Sequence, residues 1–234
     1  MASPQFQFQR PAPTKGVILL IALCCVGWLA TVIFEPVRAM LPSSLLLTAT
    51  SIRSLHLWTI LTHIFFVDDF LNLFFAGLML YWFGSEVAQR RGDAKWLGFM
   101  FGATLLGGLL AAPVALLLGG GAGGPSAAVN ACIAMYCWQI WNREVHFFTI
   151  ALTGKTMFFA FLLIDFLFAL FSMNPTLLAV KAGGALAGLL FATGTWRPDK
   201  LRRHYHYWRV KRNLKVVART PEDKRRTKDG EWLN

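Results

Sequence analysis

Residues 58–84 read WTILTHIFFVDDFLNLFFAGLMLYWFG, and this stretch changes from polar to apolar near its middle. Besides two threonines, its first 15 residues contain the polar or charged side chains His63, Asp68, Asp69 and Asn72. The second half is almost entirely apolar, and a run of about 20 such residues crosses the hydrocarbon core of a bilayer as a helix. We therefore predict a membrane-spanning helix over about 66–87, entered through a polar junction.

Five further apolar runs of helical length lie on either side of this one. They predict spans over about 16–34, 96–118, 126–141, 157–171 and 177–193. The segments between them carry loop signals, since 36–56 is polar with two prolines and 119–125 reads GGGAGGP. The glycine run predicts a flexible or tightly turned loop, and 146–154 is expected to lie at the membrane interface.

The composition supports a membrane protein. Apolar residues make up 56% of the 234 residues and charged residues only 15%, against about 45–50% and a quarter in soluble domains. The mean hydropathy is +0.49. These values exclude a disordered chain, a collagen-like repeat and a coiled coil. The four cysteines lie in apolar runs without metal-ligand spacing, so we interpret them as small buried side chains and expect no disulfide.

The distribution of positive charge predicts the topology. With six spans and a cytoplasmic N-terminus, 20 of the 23 Lys and Arg residues lie on the cytoplasmic side. Only Arg38 and Arg53 fall in the outer loops, and Lys181 lies within the last span. We predict both termini in the cytoplasm, a disordered lead over 1–15, one membrane domain over 16–195 and a basic tail over 196–234.

The tail mixes cations with aromatic residues, as in RRHYHYWRVKR at 202–212. This composition suits the headgroups of an anionic leaflet, to which each Lys or Arg contributes about 1 kcal/mol. Nucleic-acid binding is the competing interpretation of a basic patch. Because the tail directly follows a predicted span, we favour lipid headgroups and expect no nucleic acid. We expect the protein to lie in the cytoplasmic membrane of a bacterium.

Polar groups inside predicted spans are candidate functional residues, because burying them in a bilayer is costly. Beyond the second span they are Ser126, Asn130, Asp165 and Lys181. Asn130 and Asp165 are expected to hydrogen-bond between helices. We expect His63 to anchor the interface, and the adjacent aspartates to mark a solvated junction. No His-Glu-x-x-His zinc motif and no Gly-x-Ser-x-Gly elbow is present, so we expect neither a metal nor another cofactor.

Three segments together resemble the rhomboid family of intramembrane serine proteases. In 58–84, the residues in step with the family pattern are Trp58, Thr62, Phe65, Phe83 and Gly84. GPSAAVNA at 124–131 is similar to the family's Gly-x-Ser-Gly motif, and KAGGALAGLLF at 181–191 to its Ala-His-x-Gly-Gly pattern. The resemblance covers about 16–195 and implies an all-α, six-helix membrane bundle.

The resemblance also implies site residues, and several of them are altered. Ser126 matches the family's nucleophile, but Ala127 replaces the glycine after it, and Lys181 stands where the family has the histidine base. Asn72 falls at a histidine that helps to hold the oxyanion. Two further positions are apolar, Val67 at another histidine and Ala76 at an asparagine.

Two functions follow from these departures. One is a protease-dead rhomboid that binds transmembrane helices of client membrane proteins, with Lys181 paired to Asp165 or to an acid near the second span, or extended toward the surface. The alternative is an intramembrane serine endopeptidase with Ser126 as nucleophile and Lys181 as a base made neutral by burial. Losing one oxyanion donor costs about 10²–10³ in rate, which favours the first function.

Overall fold

The structure is a computed structural model that describes residues 12–67, 69–147 and 150–194. The predicted tail, its expected lipid contacts, most of the predicted lead and Asp68 lie outside these residues. The described elements up to Thr193 belong to one compact unit.

The chain is mostly helical. Its helices are α1 (Lys15–Ile33), α2 (Glu35–Met40), α3 (Ala49–Arg53), α4 (Thr59–Thr62), α5 (Phe70–Met79), α6 (Ser85–Arg91), α7 (Asp93–Leu118), α8 (Ser126–Gln139), α9 (Gly154–Ser172) and α10 (Pro175–Thr193). A π-helical turn at Leu80–Gly84 joins α5 to α6, so that Phe70–Arg91 forms one long helix.

The mostly helical fold agrees with the expected all-α class, and two small antiparallel sheets accompany the helices in the described residues. Strand β1 (Leu47–Thr48) pairs with β2 (Gly121–Ala122), and β3 (Glu144–Phe147) pairs with β4 (Ile150–Thr153). The first pair joins two loops that are far apart in sequence. The second pair overlaps the segment 146–154, which is expected to lie at the membrane interface.

Within the described residues, four helices are long and apolar enough to cross a membrane: Lys15–Ile33, Phe70–Arg91, Asp93–Leu118 and Pro175–Thr193. At 1.5 Å per residue, the 19 residues of α1 extend about 28 Å, close to the thickness of a bilayer core. Many of their large apolar side chains are exposed, such as Val26 and Val32 on α1. The protein is therefore an integral membrane protein whose outer surface contacts lipid.

The predicted second span begins four residues too early. The helix starts at Phe70 because the carboxylate of Asp69 accepts hydrogen bonds from the backbone N–H groups of Leu71 and Asn72, at 3.2 and 3.3 Å. Such a cap satisfies the first free donors of a helix. Asp69 is exposed, as expected for a solvated junction.

Helix α8 lies at the centre of the bundle. Every residue from Ser126 to Cys137 is buried, so this helix has no face left for lipid over that length. Its sequence, SAAVNACIAMYCWQ, consists mainly of small residues, which let neighbouring helices approach from all sides. Its 14 residues extend about 21 Å, less than the hydrocarbon thickness.

Glycines bring α10 against α7 and α8. A Cβ placed on Gly183 would lie only 2.6 Å from the Cα of Gly107 on α7. A Cβ on Gly188 would lie 2.8 Å from the Cβ of Ala134 on α8. Backbone therefore packs on backbone here, which is how membrane helices associate where lipid provides no hydrophobic drive.

Candidate functional site

The glycine-rich loop that precedes Ser126 is tightly turned and held at several points. Gly119, Gly120 and Gly124 have φ of +78°, +86° and +81°, a backbone conformation that suits glycine. Asn174 Nδ2 donates to Gly121 O at 2.7 Å, and Thr176 Oγ1 donates to Gly119 O at 2.6 Å. The start of α10 and strand β1 thus fix the loop, and with it the first residue of α8.

Asn174 is a residue whose role the sequence analysis missed. Besides holding Gly121, its side-chain oxygen accepts from the backbone N–H of Leu177 at 3.1 Å, which caps α10. The signal was present, since an asparagine directly before a proline at the first helical position is typical of a helix N-terminus. It could identify the cap but not the contact with a loop more than 50 residues away.

Ser126 is the first residue of α8. The residue is 8% exposed, and its Oγ has no hydrogen-bond partner among the described residues. The first backbone N–H groups of a helix have no partners within the helix, so they remain available to an acceptor beside Ser126. The serine is thus buried at the positive end of a helix, with its hydroxyl uncommitted.

Lys181 is bound to a carboxylate rather than to Ser126. Its Nζ donates to Asp165 Oδ1 at 2.7 Å, and Asn130 Nδ2 donates to Asp165 Oδ2 at 2.7 Å. This polar triad (Lys181, Asp165 and Asn130) connects α10, α9 and α8. The triad confirms the expected hydrogen bond between Asn130 and Asp165. It also shows that Lys181 pairs with Asp165 rather than with the other partners considered for it.

The triad and the serine lie at neighbouring levels of the bundle. Asn130 is one turn below Ser126 on α8. Lys181 lies one turn before Gly184, whose Cα packs against the carbonyl group of Ala127. The structure therefore brings the α8 and α10 motifs together, but no hydrogen bond joins Ser126 Oγ to any described residue. In this arrangement the ammonium acts as a donor, whereas a general base must accept a proton.

Three polar positions of the family pattern are occupied by Val67, Asn72 and Ala76, and the last two are the ones expected to hold the oxyanion. Val67 is fully buried, and a Cβ on Gly124 would lie 3.2 Å from its Cγ2, so it packs directly against the loop that leads to Ser126. Ala76 is also buried on α5. Asn72 is half-buried in the first turn of α5, and its side-chain amide hydrogen-bonds to none of the described residues. One side-chain donor thus remains among these three positions.

His63 is fully buried, and the expectation that it anchors the interface is wrong. Its Nδ1 lies 2.9 Å from the carbonyl oxygen of Thr59, and its own carbonyl oxygen accepts from Gly124 N at 2.8 Å. Nε2 has no partner among the described residues. Burial lowers the pKa of His63 from its ordinary value of 6.5, although hydrogen bonding to the backbone opposes this shift. The neutral form of His63 is therefore the one that supports the glycine loop.

The buried His63 gives a pH dependence of stability. Below pH 6.5 the unfolded chain takes up a proton that the folded chain does not, so the free energy of unfolding falls as the pH is lowered. We expect the melting temperature of the wild type to decrease between pH 7.5 and pH 5. His63→Asn, whose amide replaces Nδ1 but does not titrate, should show a smaller decrease. Equal decreases in the two proteins would contradict this role of the histidine.

Taken together, these features define a class: an α-helical membrane protein in which a buried serine opens a central helix beside an intramembrane ion pair. The comparison with protein families then identifies the family. The Rhomboid domain matches residues 54–198, which is more than half of the chain, and the protein therefore belongs to the rhomboid family. A search of curated proteins gave no significant match.

Proposed function

We propose that this protein is a rhomboid pseudoprotease that binds transmembrane helices of client membrane proteins and does not cleave them. The observation that carries the proposal is the ion pair between Lys181 and Asp165, at 2.7 Å. In the rhomboid pattern this position supplies the base, and here its nitrogen is committed to a carboxylate. The apolar Val67 and Ala76 add to the argument, since each stands where the family places a polar group.

We also propose a topology and a location for the protein. Helices α8 and α9 would also cross the membrane, so that the four long spans become six. Both termini would then lie in the cytoplasm of a bacterium, with the basic tail against anionic headgroups. The charge bias supports this arrangement, because 20 of 23 basic residues then lie inside. The cation–π contact of Arg91 over Phe191, at 5.4 Å, fits a common side for the ends of α6 and α10.

This topology predicts which sites a membrane-impermeant thiol reagent reaches in intact cells. A cysteine at the exposed Ser43, in the loop after α2, should be labelled from outside. A cysteine at Asn213, in the tail, should be labelled only after the membrane is opened. Labelling of both positions in intact cells would place them on one side and contradict six spans.

A second function is favoured by one specific observation. The Ser126 hydroxyl is buried, without a described partner, at a helix N-terminus whose backbone donors suit a developing oxyanion. An intramembrane endopeptidase would use Ser126 as nucleophile and Lys181 as base. For this to work, Lys181 must leave Asp165 and give up a proton before it accepts one from the serine.

Labelling with a serine-directed fluorophosphonate separates the two functions. We expect no labelling of the wild type in nanodiscs at any pH from 6 to 9. Labelling that is lost in both Ser126→Ala and Lys181→Met would overturn the pseudoprotease and establish the dyad. The matched control is Ser85→Ala, which removes a buried, unpartnered hydroxyl away from this site and should leave labelling unchanged.

A further inference from the structure

The Lys181 ammonium of the polar triad has hydrogen-bond donors that the described residues do not use. Both oxygens of the Asp165 carboxylate are engaged, one by Lys181 and the other by Asn130. A lysine ammonium carries three N–H donors, and the described residues accept one of them. Two donors of Lys181 therefore remain for a group outside the bundle, and that group must be an acceptor.

Two members of the triad keep some exposed surface. The Lys181 side chain is 21% exposed and that of Asp165 is 18% exposed, although both lie well within their helices. Exposed apolar side chains lie on other faces of the same two helices: Leu163, Ile164, Phe166 and Leu186. Hydrocarbon chains contain no acceptor, so lipid around this surface leaves the two donors unsatisfied.

The depth of Lys181 narrows the choice of ligand. It is six residues beyond Pro175, which places it about 9 Å along α10 from the end of the helix. A partner that presents an acceptor at this depth needs a satisfied backbone of its own, and within a bilayer that partner is a helix. The surfaces of α9 and α10 would give such a helix apolar contacts and one polar contact, which is with Lys181.

We propose that Lys181 recognises client transmembrane helices that carry an acceptor side chain (Asp, Glu, Asn or Gln) at its depth. This inference rests on the proposed function and names its substrate class. A client lysine or arginine meets repulsion from the Lys181 ammonium, and the Asp165 carboxylate is already paired with that cation. Discrimination then comes from one intramembrane hydrogen bond, in addition to apolar packing shared by all clients.

The test uses the full chain in nanodiscs of zwitterionic lipid and three fluorescent single-span peptides. The peptides share a Leu/Ala host and differ in one central guest residue, which is Asn, Leu or Lys. We expect the Asn peptide to bind about tenfold more tightly than the Leu peptide, as an intramembrane hydrogen bond of about 1.4 kcal/mol gives. The Lys peptide should bind no more tightly than the Leu peptide.

Variants assign the preference to Lys181. Lys181→Met should bind the Asn and Leu peptides equally, while Lys155→Met, at an exposed position near the start of α9, should keep the tenfold preference. Because Lys181→Met leaves Asp165 without its cation, Lys181→Met/Asp165→Asn serves as a second variant. It removes both charges, retains an acceptor for Asn130, and should also abolish the preference.

Each contrary result of the binding experiment contradicts a different statement. Equal binding of the Asn and Leu peptides to the wild type would overturn the inference and leave helix binding intact. Tighter binding of the Lys peptide would also overturn it, because it would assign recognition to Asp165. If none of the peptides binds, the proposed helix-binding function fails, and the inference fails with it.

Discussion

Gly184→Val is expected to prevent stable packing of α10, with a loss of about 3 kcal/mol or more in the free energy of unfolding. A Cβ at this position overlaps the carbonyl oxygen of Ala127, and backbone cannot rotate away as a side chain can. The helix would have to move off α8 and carry Lys181 with it. Thermal unfolding in detergent or nanodiscs measures the effect.

Gly102→Val is the matched control for this prediction. Gly102 lies within α7, is exposed, and a Cβ placed on it meets nothing within 4 Å. The same substitution should therefore leave the melting temperature nearly unchanged. A similar loss in both variants would mean that the cost reflects helix propensity or insertion rather than close packing of α10.

Asp165→Leu should destabilise the protein more than removal of both charges does. The single change leaves the Lys181 ammonium without a counter-ion in a largely buried setting, at an expected cost of about 1–3 kcal/mol, reduced from the fully buried value because the pair is partly exposed. Asp165→Leu/Lys181→Met removes the unpaired charge and should recover most of the loss. Recovery should be incomplete by about 1 kcal/mol, since Asn130 still lacks its acceptor.

A double-mutant cycle measures this coupling. The free energies of unfolding of the wild type, both single variants and the double variant give the interaction energy of the pair. A cycle in which the two single losses simply add would show that the ion pair contributes nothing to the fold. That result would also free Lys181 for the base role in the alternative function.

The helices could largely be predicted from the sequence, because each span is a continuous apolar run. The prediction of 16–34 differs from α1 (Lys15–Ile33) by one residue at each end. The start of the second span was misplaced because Phe66 and Val67 are as apolar as a span, and Asp69 decides the boundary through its cap. An apolar run predicts that a segment lies in the membrane, whereas the capping residue determines where its helix begins.

Contacts between distant segments were harder to predict. The pairing of Leu47 with Ala122 depends on two short loops meeting, and neither loop has a pattern that indicates its partner. For the site, the residues Asn130, Asp165 and Lys181 were identified because polar groups are rare in apolar runs. Which of them touch depends on the rotation of three helices, and the sequence left several partners open for Lys181.

The burial of α8 on all sides has a consequence for how the chain is made. A helix with Ser126, Asn130 and Tyr136 inside it gains little from contact with lipid, so it depends on neighbouring helices for a suitable environment. Helix α10, which packs along Ala127 and Ala131 of α8, is the last of these helices to leave the ribosome. Until α10 has been inserted, one side of α8 faces lipid or a protein that accompanies the nascent chain. Assembly of this membrane domain therefore finishes only after synthesis has passed Thr193, and a chain truncated before α10 would present an uncovered polar helix to the quality-control machinery of the cell.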